Sequence, residues 1–205
     1  MSGIVQGFVE LLAPLRCVGC EEKSATVFCD ACELLVEPAR TSGAVFQYGG
    51  PVADAIHRFK YRGRSDLGVA LGTLMGQVAA QWHGEIDAVV PVPLHWRRRR
   101  RRGYDQAALL AKPIANALDV PLLLRCLRRA RHTRSQIELP HHERARNVDG
   151  AFVANRICGP ERVLLVDDVR TTGATMGAAR RALSAAGVVE VRTLALATRL
   201  LDGGT

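Results

Sequence analysis

Lysine and aromatic residues are both scarce in this chain of 205 residues. Lysine and arginine together number 28, yet lysine occurs at only three positions, and aromatic residues make up 5% of the chain. Because hydrophobic residues still make up 48%, we expect a mainly aliphatic core of the kind found in α/β proteins. The net charge of +8 favours polyanions or phosphorylated small molecules as partners.

Several familiar signals are absent. The longest apolar run without a charge, residues 67–82, has 16 residues, short of the roughly 20 needed to span a bilayer. The lack of a Walker A loop, a GxGxxG loop and internal repeats argues against a P-loop NTPase, a dinucleotide-binding enzyme and a repeat protein. Residues 1–15 have neither a basic leader nor a small-residue cleavage site, so we expect a short amphipathic helix there and a cytoplasmic protein without a membrane span.

Four of the six cysteines form two CxxC pairs separated by eight residues. They are Cys17, Cys20, Cys29 and Cys32. This spacing can wrap one tetrahedral Zn²⁺, and four sulfur ligands leave no place for a catalytic water, so the sequence predicts structural zinc. Two disulfides or redox-active pairs are the alternatives, and disulfides would need an oxidising compartment. Cys126 and Cys158 lie in or beside apolar stretches and are expected in the core.

Apolar stretches alternate with helical patterns behind these cysteines. Strands are predicted at residues 44–48, 87–93, 121–127, 162–166 and 189–198, and helices at 52–61, 67–82, 104–118 and 172–186. We expect a mainly parallel sheet flanked by helices, with ligands at the carboxyl ends of its strands. The predicted domains are residues 1–40, with the N-terminal helix and the zinc knuckle, and residues 41–205, with the α/β fold. Gly68, Gly72 and Gly76 share one helical face, which we expect to pack closely on the sheet.

Asp167 and Asp168 follow the apolar strand 162–166, where a ligand crevice would open. The next residues turn into a helix, so unpaired backbone N–H groups and the helix dipole favour an anion there. This turn is Val169, Arg170, Thr171, Thr172, Gly173, Ala174 and Thr175. Its hydroxyls suit a phosphate, and carboxylates accept hydrogen bonds from the two vicinal hydroxyls of a ribose. A ribose 5-phosphate would match both halves. Paired aspartates that bind Mg²⁺, or threonines that merely cap the helix, are the alternatives.

The apolar strand, two acids, two further residues, TTG and another threonine resemble the phosphoribosyl pyrophosphate (PRPP) signature of type I phosphoribosyltransferases. Four more motifs follow the order of the ComF family, which also has a leading four-cysteine knuckle. They are FKYRG at 59–63, VPVPL at 90–94, RGYDQAALLA at 102–111 and ERARNVDGAF at 143–152. The chain therefore resembles the ComF family of phosphoribosyltransferase-like proteins. It departs from the family pattern at Asp105, where asparagine is usual, and Asp105 would bring negative charge towards a pyrophosphate site.

This resemblance implies a site for PRPP with Mg²⁺. Asp167 and Asp168 would be the catalytic residues, whose charge favours the oxocarbenium-like state formed when pyrophosphate leaves. Pro91, Val92 and Pro93 would form the pyrophosphate loop, Arg102 and Gly103 would belong to the mobile loop that closes over it, and Lys60 would face the anion. The histidines identify no general base, and no pattern identifies the acceptor of the sugar.

Six consecutive arginines, residues 97–102, follow Trp96. Adjacent like charges cannot all be buried or paired, so we expect an exposed, flexible loop. It could be a solvated loop, a loop that closes over pyrophosphate, or a patch that follows the backbone of single-stranded DNA, with Trp96 and Tyr104 as stacking surfaces. The tentative DNA contacts are Trp96, Arg97, Arg98, Arg99, Arg100 and Arg101.

Three functions are compatible with these features. The first is a phosphoribosyltransferase that uses PRPP and Mg²⁺. The second, which the resemblance to a family linked to natural transformation supports, is an accessory that handles incoming single-stranded DNA alongside competence proteins, without transferase turnover. The third is a PRPP-sensing regulator. The PRPP-like signature supports ligand binding under all three, and the surplus of arginines favours the second.

Overall fold

The described part of the chain is organised around a four-stranded parallel sheet, seen in a computed structural model that describes residues 16–130, 150–155 and 160–199. In chain order the strands are β1 (Ala44–Gln47), β2 (Ala88–Pro91), β3 (Leu127–Arg129), β4 (Phe152–Ala154), β5 (Arg162–Arg170) and β6 (Glu190–Thr198). The sheet order is β1-β6-β5-β2, and all three neighbouring pairs are parallel. β3 and β4 form a separate antiparallel pair. The predicted parallel α/β arrangement is confirmed.

Helices cover both faces of this sheet. The described residues contain the helices α1 (Asp30–Glu33), α2 (Gly50–Tyr61), α3 (Leu67–Ala79), α4 (Trp96–Arg102), α5 (Gln106–Leu118) and α6 (Ala174–Ala185), with a 3₁₀ turn at Ala80–Trp82. Side chains of β5 alternate between the faces, as the two-residue period of a strand requires. Leu164 and Val166 pack with α2, α3 and α5, whereas Val163 and Leu165 pack with α6 and with β3 and β4. Both faces of β5 are therefore buried, which explains its nearly continuous apolar sequence.

The glycine face of α3 packs on a helix, so the prediction that it packs on the sheet is wrong. A methyl group at Gly68 would lie 2.7 Å from Leu109 Cβ, and one at Gly72 would lie 2.8 Å from the carbonyl oxygen of Leu110. Both contacts are to α5, whose backbone approaches α3 too closely for side chains at these positions. The glycines thus allow two helices to stack on one face of the sheet.

Two of the predicted strands differ in extent from the observed structure. Residues 121–127 form no full strand, since Leu122 makes a single parallel bridge to Val89 of β2 before the chain turns away into β3. β5 continues to Arg170 instead of ending at Val166, because its last residues still pair with β6, up to the pair Arg170 and Thr198. The predicted N-terminal helix lies outside the described residues.

Among the described residues, no helix combines the length and the apolar character needed to cross a membrane.

Candidate ligand-binding cleft

The cleft opens where β5 continues beyond the end of its neighbour β2. The pairing of β5 with β2 ends at Val166 and Pro91, followed only by a hydrogen bond from the Val92 N–H to the Val166 carbonyl, whereas β5 itself continues to Arg170. Among the described residues, one edge of β5 therefore has no strand partner beyond Val166. Asp167 and Asp168 lie in this extension, within β5 and not after its end as predicted, and both line the cleft. The resulting cleft has a volume of about 570 Å³, a size suited to a small-molecule ligand.

Both acids line the bottom of the cleft, and they differ in their partners. Asp168 is 8% exposed and pairs with Lys60, whose Nζ lies 2.8 Å from Asp168 Oδ1. Asp167 is half-buried, and its Oδ1 accepts a hydrogen bond of 2.8 Å from the backbone N–H of Asp168. Burial, together with the neighbouring charge of Asp168, raises the pKa of Asp167 to about 8. The raised pKa favours the protonated form of Asp167 at neutral pH, beside the Asp168 side chain that pairs with Lys60.

The turn after β5 leads into α6 through a glycine whose backbone is accessible. α6 begins at Ala174, two residues later than predicted, because Gly173 adopts a left-handed conformation (φ +76°) at the N-cap. A methyl group at Gly173 would meet nothing within 4 Å, so the backbone there is open to a ligand. The hydroxyl of Thr172 accepts a hydrogen bond from the Ala174 N–H, which supports the capping alternative for this one threonine. Thr171, Gly173, Ala174 and Thr175 line the cleft.

Basic side chains dominate the walls of the cleft. They are Lys60, Arg97, Arg98, Arg101, Arg102, Arg129, Arg170 and Arg199. Two of them show the effect of the enclosed setting. Burial, with the nearby charge of Arg98, lowers the pKa of Arg129 to about 10, and Nε of Arg102 is buried without a hydrogen-bond partner among the described residues. A cleft with this charge excess is suited to an anion that carries more than one negative charge.

The arginine run is a helix, so the predicted flexible loop is wrong. The Nδ1 atom of His95 accepts a hydrogen bond from the Arg97 N–H at the start of α4, and Gly103 ends the helix in a left-handed conformation. Arginine is a good helix former, and positive charge in the last turn complements the helix dipole. The helix separates the run into two sets. Arg97, Arg98, Arg101 and Arg102 line the cleft, whereas Arg99 and Arg100 do not.

The predicted stacking surfaces around the run differ from each other. Trp96 is 57% exposed, and the guanidinium of Arg97 lies 5.2 Å from the centre of its ring. Tyr104 instead stacks on Phe59 with ring centres 5.7 Å apart and donates a hydrogen bond to the Phe59 carbonyl. Tyr104 is thus engaged in packing α2 against the start of α5, and the idea that it flanks the run as a stacking surface does not fit the structure.

The remaining sequence-predicted residues are divided between the cleft and its supports. Val92 and Pro93 line the cleft, as do Val169 and Arg170. Pro91 ends β2 and Gly103 ends α4, and neither lines the cleft itself. The residues of the ERARNVDGAF motif at 143–149, the histidines in 132–142 and Cys158 lie outside the described residues. Cys126 is buried, as predicted.

Sequence reasoning missed one wall of the cleft. Tyr48, which follows β1, and His57 and Tyr61 of α2 line it beside Lys60. His57, Lys60 and Tyr61 are spaced three and four residues apart, so they share one face of α2. Starting from Lys60, this helical spacing could have identified the other two.

Asp105 serves the backbone around the cleft. One of its carboxylate oxygens accepts a hydrogen bond of 3.1 Å from the Leu94 N–H, and the other accepts the Ala108 N–H at the start of α5. Burial raises the pKa of Asp105, with a contribution from the charge of Asp168. Asp105 therefore ties the loop after β2 to the N-terminus of α5, a role that needs an acceptor and not a charge.

The four cysteines come together as the spacing predicts. Their sulfur atoms all lie within 4.8 Å of one another, and the sulfurs of Cys20 and Cys29 are 3.6 Å apart. A tetrahedral site with Zn–S distances of about 2.3 Å has sulfurs about 3.8 Å apart, so the donors fit Zn²⁺. Cys17 and Cys32 are buried in the same core as Ile56 and Phe59 of α2. The cluster thus stabilises the helix that carries Lys60.

Several known proteins are similar to this chain in sequence. Competence protein F of Haemophilus influenzae is 35% identical over 158 residues, which cover 73% of this chain and 69% of that protein. DNA utilization protein YhgH of Escherichia coli K12 is 30% identical over 179 residues, covering 84% and 78%. Competence protein ComFC of Streptococcus pneumoniae is 25% identical over 190 residues, covering 91% and 82%. No family model matches the chain. Among solved structures, glutamine PRPP amidotransferase from B. subtilis has a TM-score of 0.46 and 26% identity, covering 68% of this chain and 30% of that one.

The mainly parallel sheet with helices on both faces and the additional four-cysteine cluster make this an α/β protein of the kind expected from its resemblance to phosphoribosyltransferase-like proteins. Its sequence similarity to competence protein F and to DNA utilization protein YhgH identifies its family. The chain belongs to the ComF family.

Proposed function

We propose that the cleft binds PRPP or a related ribose 5-phosphate, and that the protein acts in the handling of DNA during competence. One observation carries the proposal: the acid pair of β5 and the glycine turn before α6 line one strongly basic cleft. A carboxylate that pairs with Lys60 and a neighbouring protonated one offer both an acceptor and a donor to a vicinal diol. A 5-phosphate on the same sugar would then bind at the turn of Thr171 and Gly173, which lines the same cleft.

The arginines of α4 supply the second anion site that PRPP requires. Arg98 and Arg102 are half-buried in the cleft wall, and Nε of Arg102 has a free hydrogen-bonding position among the described contacts. A pyrophosphate at C1 of the sugar would be neutralised by the charge of these two arginines. Mg²⁺ would enter with the pyrophosphate, because the only cluster of three or more metal-ligating side chains within the described ranges is the cysteine cluster. When bound, Mg²⁺ would neutralise part of the charge on the leaving pyrophosphate.

Calorimetric titration of PRPP with Mg²⁺ tests the binding proposal. The double variant Asp167→Ala/Asp168→Ala should lose at least about tenfold in affinity, since each hydrogen bond to a charged group contributes about 1.5–3 kcal/mol. Asp87→Ala is the matched control, because Asp87 pairs with Arg162 at the opposite end of β5 and lies away from the cleft. Equal affinity in the double variant and in wild type would contradict the proposal.

A role in DNA handling is supported by the relatives and by the outer face of α4. Arg99, Arg100 and Trp96 are exposed or half-exposed and do not line the cleft, so a single strand can contact them while a ligand occupies the cleft. Fluorescence anisotropy with a single-stranded oligonucleotide at several salt concentrations tests this. We expect Arg99→Ser/Arg100→Ser to weaken binding and to reduce the salt slope by about 1.4, since a single strand contributes about 0.7 to the slope per phosphate contact. An unchanged slope would exclude this face.

Whether the ligand is also turned over is a separate question, which a product assay decides. Release of pyrophosphate from PRPP, measured against a panel of nucleobases and amines, distinguishes a transferase from a binding protein. Release that depends on one acceptor and on Asp167 and Asp168 would establish a phosphoribosyltransferase. Tight binding without release would favour a DNA-handling accessory or a PRPP-responsive regulator.

A further inference from the structure

Helix α2 lies between the cysteine cluster and the ligand cleft. Lys60 and Tyr61 line the cleft, whereas Pro51 and Arg58 lie against the first cysteine turn, residues 17–20. Because an α-helix turns by about 100° per residue, Arg58 and Lys60 project from nearly opposite sides of α2. One helix therefore connects the cysteine turn to the side chain that pairs with the acids of β5.

Arg58 is attached to the backbone of the first cysteine turn. Its Nη2 donates a hydrogen bond of 2.7 Å to the carbonyl oxygen of Val18 and a second hydrogen bond to the carbonyl oxygen of Gly19. Both carbonyls lie between Cys17 and Cys20, the sulfur donors of the first CxxC pair. The guanidinium can bind both oxygens together only while the turn keeps this conformation.

The same turn packs directly on the start of α2. A methyl group at Gly19 would lie 2.7 Å from Pro51 Cβ and 2.9 Å from Cys32 Sγ, so the turn fits tightly between the helix and the second cysteine pair. Glu21, just after the turn, pairs with Arg64, just beyond the end of α2. The cysteine segment thus contacts α2 at its start, through Arg58 and past its end.

The cleft side of α2 depends on the position of the helix. Lys60 Nζ lies 2.8 Å from Asp168 Oδ1, and both side chains are only 12% exposed. Because water screens these two charges weakly, their interaction is sensitive to a small displacement of either partner. A shift of α2 would therefore change the arrangement of the acid pair that a ligand meets.

The conformation of the first cysteine turn depends in turn on the metal. Without an ion, four sulfur atoms within 4.8 Å of one another lack a common partner, and small metal sites of this kind gain their folding energy from the metal. We propose that Arg58 couples metal binding at the cysteine cluster to ligand binding in the cleft. With zinc bound, the turn presents its two carbonyls to Arg58, and α2 holds Lys60 against Asp168; without zinc, the cleft binds its ligand more weakly.

Arg58 is a positioning residue in this proposal, since it supplies no metal ligand and does not line the cleft. The proposal rests on the ribose 5-phosphate site described above and adds a means of regulating it. Binding at two coupled sites is reciprocal, so occupancy of the cleft must also strengthen metal binding at the cysteines.

Two affinities measured on the full chain test the coupling. In calorimetry, we expect ribose 5-phosphate to bind about tenfold more weakly to chelator-treated protein than to protein with one zinc per chain, a size typical of coupled sites. In competition with a chromophoric chelator, saturating ribose 5-phosphate should raise the affinity for zinc by the same factor.

Variants of two arginines show whether Arg58 carries the coupling. Arg58→Met should still bind zinc, and its affinity for ribose 5-phosphate should match that of zinc-free wild type whether or not zinc is bound. Arg62→Met is the matched control, because Arg62 is exposed at the C-cap of α2 and does not line the cleft. This control should keep both effects of wild type. Full coupling in a folded Arg58→Met variant, or equal affinities with and without zinc in wild type, would overturn the proposal.

Hydrogen exchange followed by mass spectrometry decides the case without a ligand or a variant. After chelation, amides in the last turn of α2, residues 57–61, should exchange about tenfold faster, whereas those of α6 should be unchanged. Unchanged exchange in α2, or an equal acceleration in α6 through general unfolding, would overturn the coupling. If α2 responds as expected but ribose 5-phosphate does not bind the zinc-loaded protein, the proposed function is wrong and the link between the cluster and α2 stands.

Discussion

The raised pKa of Asp167 leads to a prediction about the stability of the protein that can be tested without a ligand. The pKa of Asp167 rises from its ordinary value of 3.8 to about 8, through burial and through the charge of Asp168. The folded state therefore binds a proton that the unfolded chain releases between these two values. The free energy of unfolding contributed by this group is highest below pH 3.8 and falls as pH rises towards 8.

The substitution Asp167→Asn isolates this effect, because asparagine has nearly the same shape and does not titrate. A single group of this kind lowers the free energy of unfolding by at most about 1.4 kcal/mol per pH unit. Water in the open cleft screens part of the interaction, so between about pH 5 and pH 7 we expect the variant to gain about 2 kcal/mol relative to wild type.

Urea unfolding followed by circular dichroism at several pH values measures this difference. Asp87→Asn is the control, because the hydrogen bond from Arg162 lowers the pKa of Asp87. The stability that Asp87 contributes is present above the ordinary pKa of an aspartate and is lost only at lower pH. The difference in free energy of unfolding between Asp87→Asn and wild type should therefore stay constant from pH 5 to pH 7. If the difference between Asp167→Asn and wild type stays constant from pH 5 to pH 7, the acid pair holds no proton, and the donor assigned to Asp167 in the cleft is wrong.

Three further predictions concern packing, metal and charge. Gly72→Ala should lower the free energy of unfolding by about 1–3 kcal/mol, since the methyl group would lie 2.8 Å from the Leu110 carbonyl oxygen. Gly177→Ala in α6 would meet only Arg181, at 3.7 Å, and should raise the free energy of unfolding by a few tenths of a kcal/mol to about 1 kcal/mol. Urea unfolding compares the two variants with wild type. The purified protein should contain one zinc per chain by elemental analysis. Cys32→Ser should lose the metal and lower the melting temperature by several degrees, because the cysteine cluster shares a core with α2. Retained zinc and an unchanged melting temperature in this variant would contradict the zinc assignment. Asp105→Asn should bind inorganic pyrophosphate more tightly than wild type in calorimetry, because an acceptor remains for the Leu94 N–H while negative charge near the cleft is removed; weaker binding would show that the charge itself is needed.

The sequence predicts the local pieces of this molecule well because each has a short-range cause. The apolar stretch before Asp167 becomes a buried strand, and the helix predicted from Thr172 begins at Ala174, directly after the left-handed Gly173. The paired CxxC motifs meet because two tight turns can share one ion. None of these depends on distant contacts.

What the sequence does not reveal is set by tertiary pairing. The extent of β5 past Val166 depends on β6, which continues to pair after β2 has ended. The glycine face of α3 could fit either a sheet or a helix, and only the packing of α5 decides between them. The arginine run becomes a helix because His95 and Gly103 cap it and because its side chains are distributed between a cleft and the solvent. The aromatic wall of α2 is likewise defined by which face of the helix turns towards the acids.

The most direct test of the central claim compares ribose 5-phosphate with 2-deoxyribose 5-phosphate in calorimetric titrations of the wild-type protein. If Asp167 and Asp168 bind the diol and the turn at Thr171 and Gly173 binds the phosphate, loss of the 2-hydroxyl removes a hydrogen bond to a buried acid and should weaken binding by about tenfold or more. Equal affinity for the two sugars would mean that the acids do not bind the diol, and would contradict the proposed binding of a ribose 5-phosphate across the acid pair and the glycine turn.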